Sequence, residues 1–200
     1  MVRFGPALLA LAIASLVTAI ELITSKYPHT APLIKKCGYL YAYMLIYGLV
    51  SFGVTLGFDQ LFQLGKIRIE GIGSDRWWQA IALGVSTKAL LHIRLFSVTA
   101  GAQSFPIGTE TIVQLFEPWL LDQITLYEFN AVRDYLKPRA ARHTDLVQVK
   151  ADILTNLPPT FSGPERTAFE ADINKQTSVV GAMEMYLERF GTRSFDRVFS

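Results

Sequence analysis

Two hundred residues, half of them hydrophobic, with a mean hydropathy of +0.29 and a formal net charge of +2, describe a chain divided between lipid and water. The charge is too nearly balanced for nucleic-acid binding driven by bulk electrostatics. The single cysteine, Cys37, excludes an internal disulfide, and no CxxC or Cys/His cluster offers a metal site.

Phe4 to Ile23 is apolar except for Glu21. Arg3 ahead of it and Val17-Thr18-Ala19 within it fit a secretory signal cut after Ala19, whereas Pro6 in the first turn equally suits a retained helix; a retained first span is the reading adopted. Residues 24–36 follow as a short turn between two antiparallel helices. Pro28 and Pro32 stop helix continuation, Lys26, Lys35 and Lys36 supply a basic edge, and His29 reads as a solvated loop residue.

Cys37 to Phe58 contains no charged side chain. At about 1.5 Å per residue it reaches across the ~30 Å hydrocarbon layer, and a soluble helix of that length would show a polar face. Tyr39, Tyr43 and Tyr47 make a ring stripe toward one end, as expected near headgroups. Gly53 and Gly57 form a GxxxG at the other end and predict close helix packing there. Residues 1–58 carry Arg3, Lys26, Lys35 and Lys36 against Glu21 alone, so the basic excess sits beside the expected spans and has anionic lipid as its natural partner.

Asp59 to Arg76 reads as a polar connector in which Lys66 to Glu70 alternates as a short extended segment, and Ser74 or Asp75 can cap the helix that follows. Trp77 to Val98 is apolar enough to tempt a third span, yet it carries Lys88, His92 and Arg94. Two central cations oppose simple insertion by about 5–7 kcal/mol. The segment is therefore expected to lie along the interface with Trp77 and Trp78 at headgroup depth, or to cross while facing water or carboxylates. In the second case Lys88, His92 and Arg94 are the candidate lining of a pore or cavity, and a ring of Lys88 would favour anions.

Residues 99–108 read as a break containing Gly101, Pro106 and Gly108. Thr109 can cap a long helix whose apolar stripe runs through Val113, Phe116, Leu120, Ile124, Tyr127, Ala131 and Tyr135, with Pro118 expected to kink or divide it. Glu110, Glu117, Asp122, Glu128 and Asp134 are read as solvating its outer face. Past the basic linker KPRAARH, Thr144 is expected to cap a helix that stops before Pro158-Pro159. In the last helix Phe169, Ile173, Gln176, Val180, Met183, Leu187 and Phe190 alternate steps of four and three. This is a coiled-coil-like seam, with Gly191 as its C-terminal cap, and it suits either self-association or the chain's own core.

No catalytic motif is present: there is no phosphate-binding glycine loop, no GxSxG and no HExxH, and the three histidines lie in different segments. The expectation is thus an all-α integral membrane protein without enzymatic activity, metal or cofactor. It divides into a two-span hairpin (1–58), a connector with an amphipathic or pore-associated third helix (59–101), and a helical soluble domain (102–200). Lack of disulfides fits a reducing compartment, so the soluble domain is assigned to the cytoplasm, although Lys26, Lys35 and Lys36 against Arg3, Lys66, Arg68 and Arg76 leave the orientation open. The expected partners are the lipid bilayer, further copies of the chain and a membrane-complex protein, with no nucleic acid. Two functions follow from this layout. One is a homo-oligomeric channel-like or membrane-permeabilising effector gated through the C-terminal helices; the other is a non-conducting scaffold or accessory subunit of a larger membrane complex.

Overall fold

The computed structural model describes residues 4–63, 76–91, 96–100, 103–107, 109–161 and 163–199. Helices dominate: α1 (Phe4–Ser25), α2 (Ala31–Ile34), α3 (Gly38–Gln63), α4 (Arg76–Leu91), α5 (Thr109–Ala140), α6 (Leu146–Thr155), α7 (Gly163–Lys175) and α8 (Val179–Phe199). One hairpin joins them, β1 (Phe96–Ala100) with β2 (Gln103–Ile107). The chain forms two compact units, and their boundary falls inside α5, between Ile124 and Thr125. The segment Tyr27–Lys36 groups with the C-terminal unit.

In the first unit α1 and α3 are both long and apolar enough to cross a membrane. They pack antiparallel: Ser15 donates to the Met44 carbonyl at 3.1 Å, Ser51 to the Ala10 carbonyl at 3.2 Å, and Phe4 stacks on Phe52 with ring centroids 6.4 Å apart. The approach is close because α1 presents small side chains at helical spacing. Ala7, Ala10, Ala14 and Thr18 are all buried, and a Cβ built on Gly48 of α3 would collide with Ser15. Gly53 and Gly57 take no part in this packing, since a Cβ on either would meet nothing within 4 Å.

Helix α4 lies lengthwise along α1 and parallel to it. The Trp77 ring stands beside Gly5, and Gly84 sits against Ala10 and Ile13. Ala80, Gly84 and Thr87 are buried at spacings of four and three, and an Asp59–Arg76 ion pair at 3.4 Å fixes the first residue of α4 to α3. Helix α4 is described as far as Leu91, residues 92–95 lie outside the described residues, and the expected helix to Val98 does not hold at its far end, where β-branched Val98 and Thr99 suit a strand. Val98 and Thr99 belong to β1, which pairs antiparallel with β2 from Phe96↔Ile107 to Ala100↔Gln103. The expected break at 99–108 is thus largely strand. Pro106, lacking an N–H, is tolerated because each strand of a two-stranded ribbon has a free edge.

The second unit has its own core, built by Val132 and Leu136 of α5, Val149 and Ile153 of α6, Phe169 and Ile173 of α7, and Met183, Tyr186, Leu187, Phe195 and Phe199 of α8. Phe161, Phe169 and Phe190 meet edge to face with centroids 5.1–5.8 Å apart. Asp145, not the expected Thr144, caps α6 by accepting from the amides of Val147 and Gln148. Helix α5 is continuous through Pro118. Its buried face differs from the expected stripe: Leu120, Ile124, Val132 and Leu136 are buried at steps of four, eight and four, while Phe116 is 49% exposed.

The expected seam from Phe169 to Phe190 is not one helix. Residues 176–178 separate α7 from α8, and Ser178 starts the second helix, with its carbonyl accepting from the Ala182 amide and its hydroxyl from the Gly181 amide at 3.0 Å. Phe169, Ile173, Met183 and Leu187 lie in the unit's own core and Phe190 packs partly against it, whereas Val180 is 43% exposed. Gly191 has φ 76° and ψ 174°, so it interrupts α8 where a C-terminal cap was expected, but in the extended positive-φ region and not in the left-handed helical conformation of a cap glycine, and the helix resumes across a kink.

Candidate functional site

Two regions place polar chemistry on an apolar background. In the first unit the ring stripe of α3 meets the early part of α5. The Tyr43 hydroxyl donates to Glu117 Oε1 at 2.6 Å, the Tyr43 and Tyr47 rings lie 5.0 Å apart, and Tyr39 meets Trp119 edge to face at 5.8 Å. Tyr39, Tyr43 and Tyr47 share a face because they stand at i, i+4 and i+8, so one face of α3 receives both a carboxylate and an indole. Glu117 is accordingly a hydrogen-bond acceptor inside the unit, where solvation of the outer face was expected.

In the second unit Thr30 and Thr125 line a cavity with Glu128. Tyr27 and Thr125 share a hydrogen bond at 3.0 Å, and the Thr30 hydroxyl donates to Glu128 Oε1. Glu128, one turn before buried Val132, faces this cavity of about 210 Å³ together with Glu184 and Glu188 of α8. Burial pushes the Glu128 carboxyl above its ordinary range, with the Thr30 hydrogen bond opposing the rise. Glu188 is raised by burial first and then by the like charges of Glu184 and Glu128. Among the described residues no group of three His, Cys, Asp or Glu side chains is disposed to hold a metal ion.

Beside this cavity, α7 and α8 leave an open groove of about 410 Å³. Phe161, Ala168, Phe169 and Met185 form its apolar lining, and Glu165, Asp172, Glu188 and Arg189 are its charged members. Glu165 pairs with Arg189 at 3.5 Å and Asp172 with Lys175 at 2.9 Å, so Glu188 is the lining carboxylate with no cation bridged to it among the described residues.

The expected site residues scatter. Lys88 belongs to α4 one turn beyond Gly84, but its side chain, like His92 and Arg94 as a whole, lies outside the described residues. Gly53 and Gly57 face open space, and the seam residues divide between core and surface. Sequence reasoning passed over the alanine face of α1, Gly84, and the Glu128–Glu184–Glu188 group. Ala7, Ala10 and Ala14 at spacings of three and four were the available signal for the first. The chain matches no family model, no curated protein and no solved structure.

Proposed function

We propose that this protein is a membrane-anchored scaffold or accessory subunit, held by α1 and α3 and presenting its C-terminal helices to a partner protein. The observation that carries the reading is the groove between α7 and α8. It has a lining of Phe161, Phe169 and Met185 and an excess of carboxylates, which suits a partner helix with apolar anchors and basic flanks. The close packing of α1 against α3 and α4 favours an anchor over a conduit within one chain, because Leu11 and Ser15 leave no separation at Gly48, and Ala10 and Ile13 leave none at Gly84.

The test is purification of the full chain from its native membrane in mild detergent. A stoichiometric second protein should accompany it and should be lost from the exposed-site variants Ala168→Trp and Asp172→Lys, with helix content unchanged. A partner retained by both variants would remove the groove as the docking surface. A second reading, a homo-oligomeric channel-like or permeabilising effector, is favoured by one observation: α4 runs parallel to α1, which sets the Lys88 backbone alongside the middle of an apolar helix. Ion flux from liposomes carrying the purified chain, altered by Lys88→Glu, would establish that reading in place of the scaffold.

A further inference from the structure

The three tryptophans of the chain are Trp77, Trp78 and Trp119, and all three are more than half exposed in the first unit. Their positions along α3 are fixed by contacts. Arg76, the residue before Trp77, pairs with Asp59, and Trp119 packs on Tyr39. From Tyr39 to Asp59 the axis of α3 rises by roughly 30 Å, the thickness of a bilayer's hydrocarbon. Between these two levels the outer surface carries Leu8 and Leu16 of α1, Leu45 and Leu49 of α3 and Val85 of α4, each more than half exposed.

Such a surface, long aliphatic side chains between two levels of ring side chains, matches the layering of acyl chains between headgroups, where indoles and phenols concentrate. The register of α4 is decisive. Gly84 faces Ala10 and Ile13, and the Ala10 carbonyl is also the acceptor for Ser51, so Val85 stands at nearly the depth of Leu49. A helix lying flat at an interface could not keep Trp77 beside Gly5 and Gly84 beside Ile13, because these contacts require it to follow α1.

We propose that α4 is a third bilayer-embedded helix and that the lipid-contacting surface of the first unit is bounded by Trp77 and Trp78 in one headgroup layer and Trp119 in the other. The inference rests on the membrane anchoring proposed above and adds a lipid-facing assignment for α4.

Fluorescence quenching in phosphatidylcholine vesicles tests it, with bromines placed either near the headgroup or near the chain terminus. The unaltered chain, whose tryptophans all stand at the two boundary levels, should lose more emission to the shallow bromines; greater loss to the deep ones overturns the proposal without any substitution. In a background of Trp77→Phe, Trp78→Phe and Trp119→Phe, the added variants Val85→Trp and Leu49→Trp should both be quenched more by the deep bromines. A shallow or unquenched Val85→Trp beside a deep Leu49→Trp overturns the assignment of α4 and leaves the two-span anchor standing. If both are unquenched, the anchoring falls with it. Sidedness supplies a further check in a Cys37→Ala background: Trp77→Cys and Trp119→Cys should react with a membrane-impermeant maleimide from opposite faces, and reaction from one face overturns the proposal.

Discussion

Gly84 of α4 approaches Ile13 of α1 so closely that a Cβ built on the glycine would lie 2.9 Å from the isoleucine Cβ and 3.0 Å from the Ala10 carbonyl oxygen. One neighbour is backbone and the other is branched at Cβ, so neither can swing aside. Gly84→Val should therefore lower the stability of the first unit by about 1–3 kcal/mol, the usual range for overpacking. Thermal unfolding in detergent, followed by circular dichroism, should show a lower Tm for Gly84→Val than for Gly53→Ala or Gly57→Ala, where the added methyl meets open space. Equal effects at all three positions would contradict the packing of α4 on α1.

Gly191 makes a different demand, set by its own backbone. At φ 76° and ψ 174° it occupies a region that side chains strongly disfavour, while the added Cβ would meet the His29 carbonyl only at an ordinary contact distance of 3.4 Å, so the backbone conformation carries the cost. Gly191→Ala should cost about 1–3 kcal/mol. Urea unfolding of the intact protein would show it as a lower midpoint, and an unchanged midpoint would mean that α8 does not turn there.

The carboxylates around the small cavity predict a pH dependence with a definite sign. Glu128 and Glu188 are both raised in the folded state, so folding holds their protons more tightly than the unfolded chain does. Their contribution to stability is full below the ordinary carboxylate range and is lost as pH rises through the folded values. The wild type should gain stability as the pH falls from ~7 to ~4, just below the ordinary glutamate value, relative to Glu128→Gln/Glu188→Gln, in which that gain is absent. Denaturant midpoints at the two pH values measure the difference. A larger gain in the double variant would reverse the assigned sign.

Asp145 accepts from two amides at the start of α6, and Thr144 accepts from neither in the capping geometry. Asp145→Ala should cost about 1 kcal/mol and Thr144→Ala much less. Comparable losses from the two would return the cap to the threonine.

The two long apolar helices were legible because membrane length and an uncharged run need no tertiary knowledge, and Gly191 was legible because a glycine after a helical pattern commonly ends it. The seam misled for a physical reason. Phe169 to Phe190 keeps a heptad spacing across residues 176–178, but Ser178 offers its oxygens to the following amides, and that local competition breaks the helix while the apolar residues still fill one core. Thr177-Ser178 inside the pattern was the signal. The burial of Glu128 could not be read in advance, since it depends on Thr30 arriving from a distant segment. The direction of α4 was hidden likewise, because Gly84 acquires its role only when Ala10 and Ile13 stand opposite.

All three tryptophans fall in the first unit, whereas the aromatic residues of the second unit's core are phenylalanines and a tyrosine. Indole emission is therefore an optical label that nature has already placed on one half of the polypeptide. Loss of order among α6, α7 and α8 would change the far-ultraviolet signal while leaving that glow largely untouched, so the two melting events can be watched separately in a single unlabelled sample.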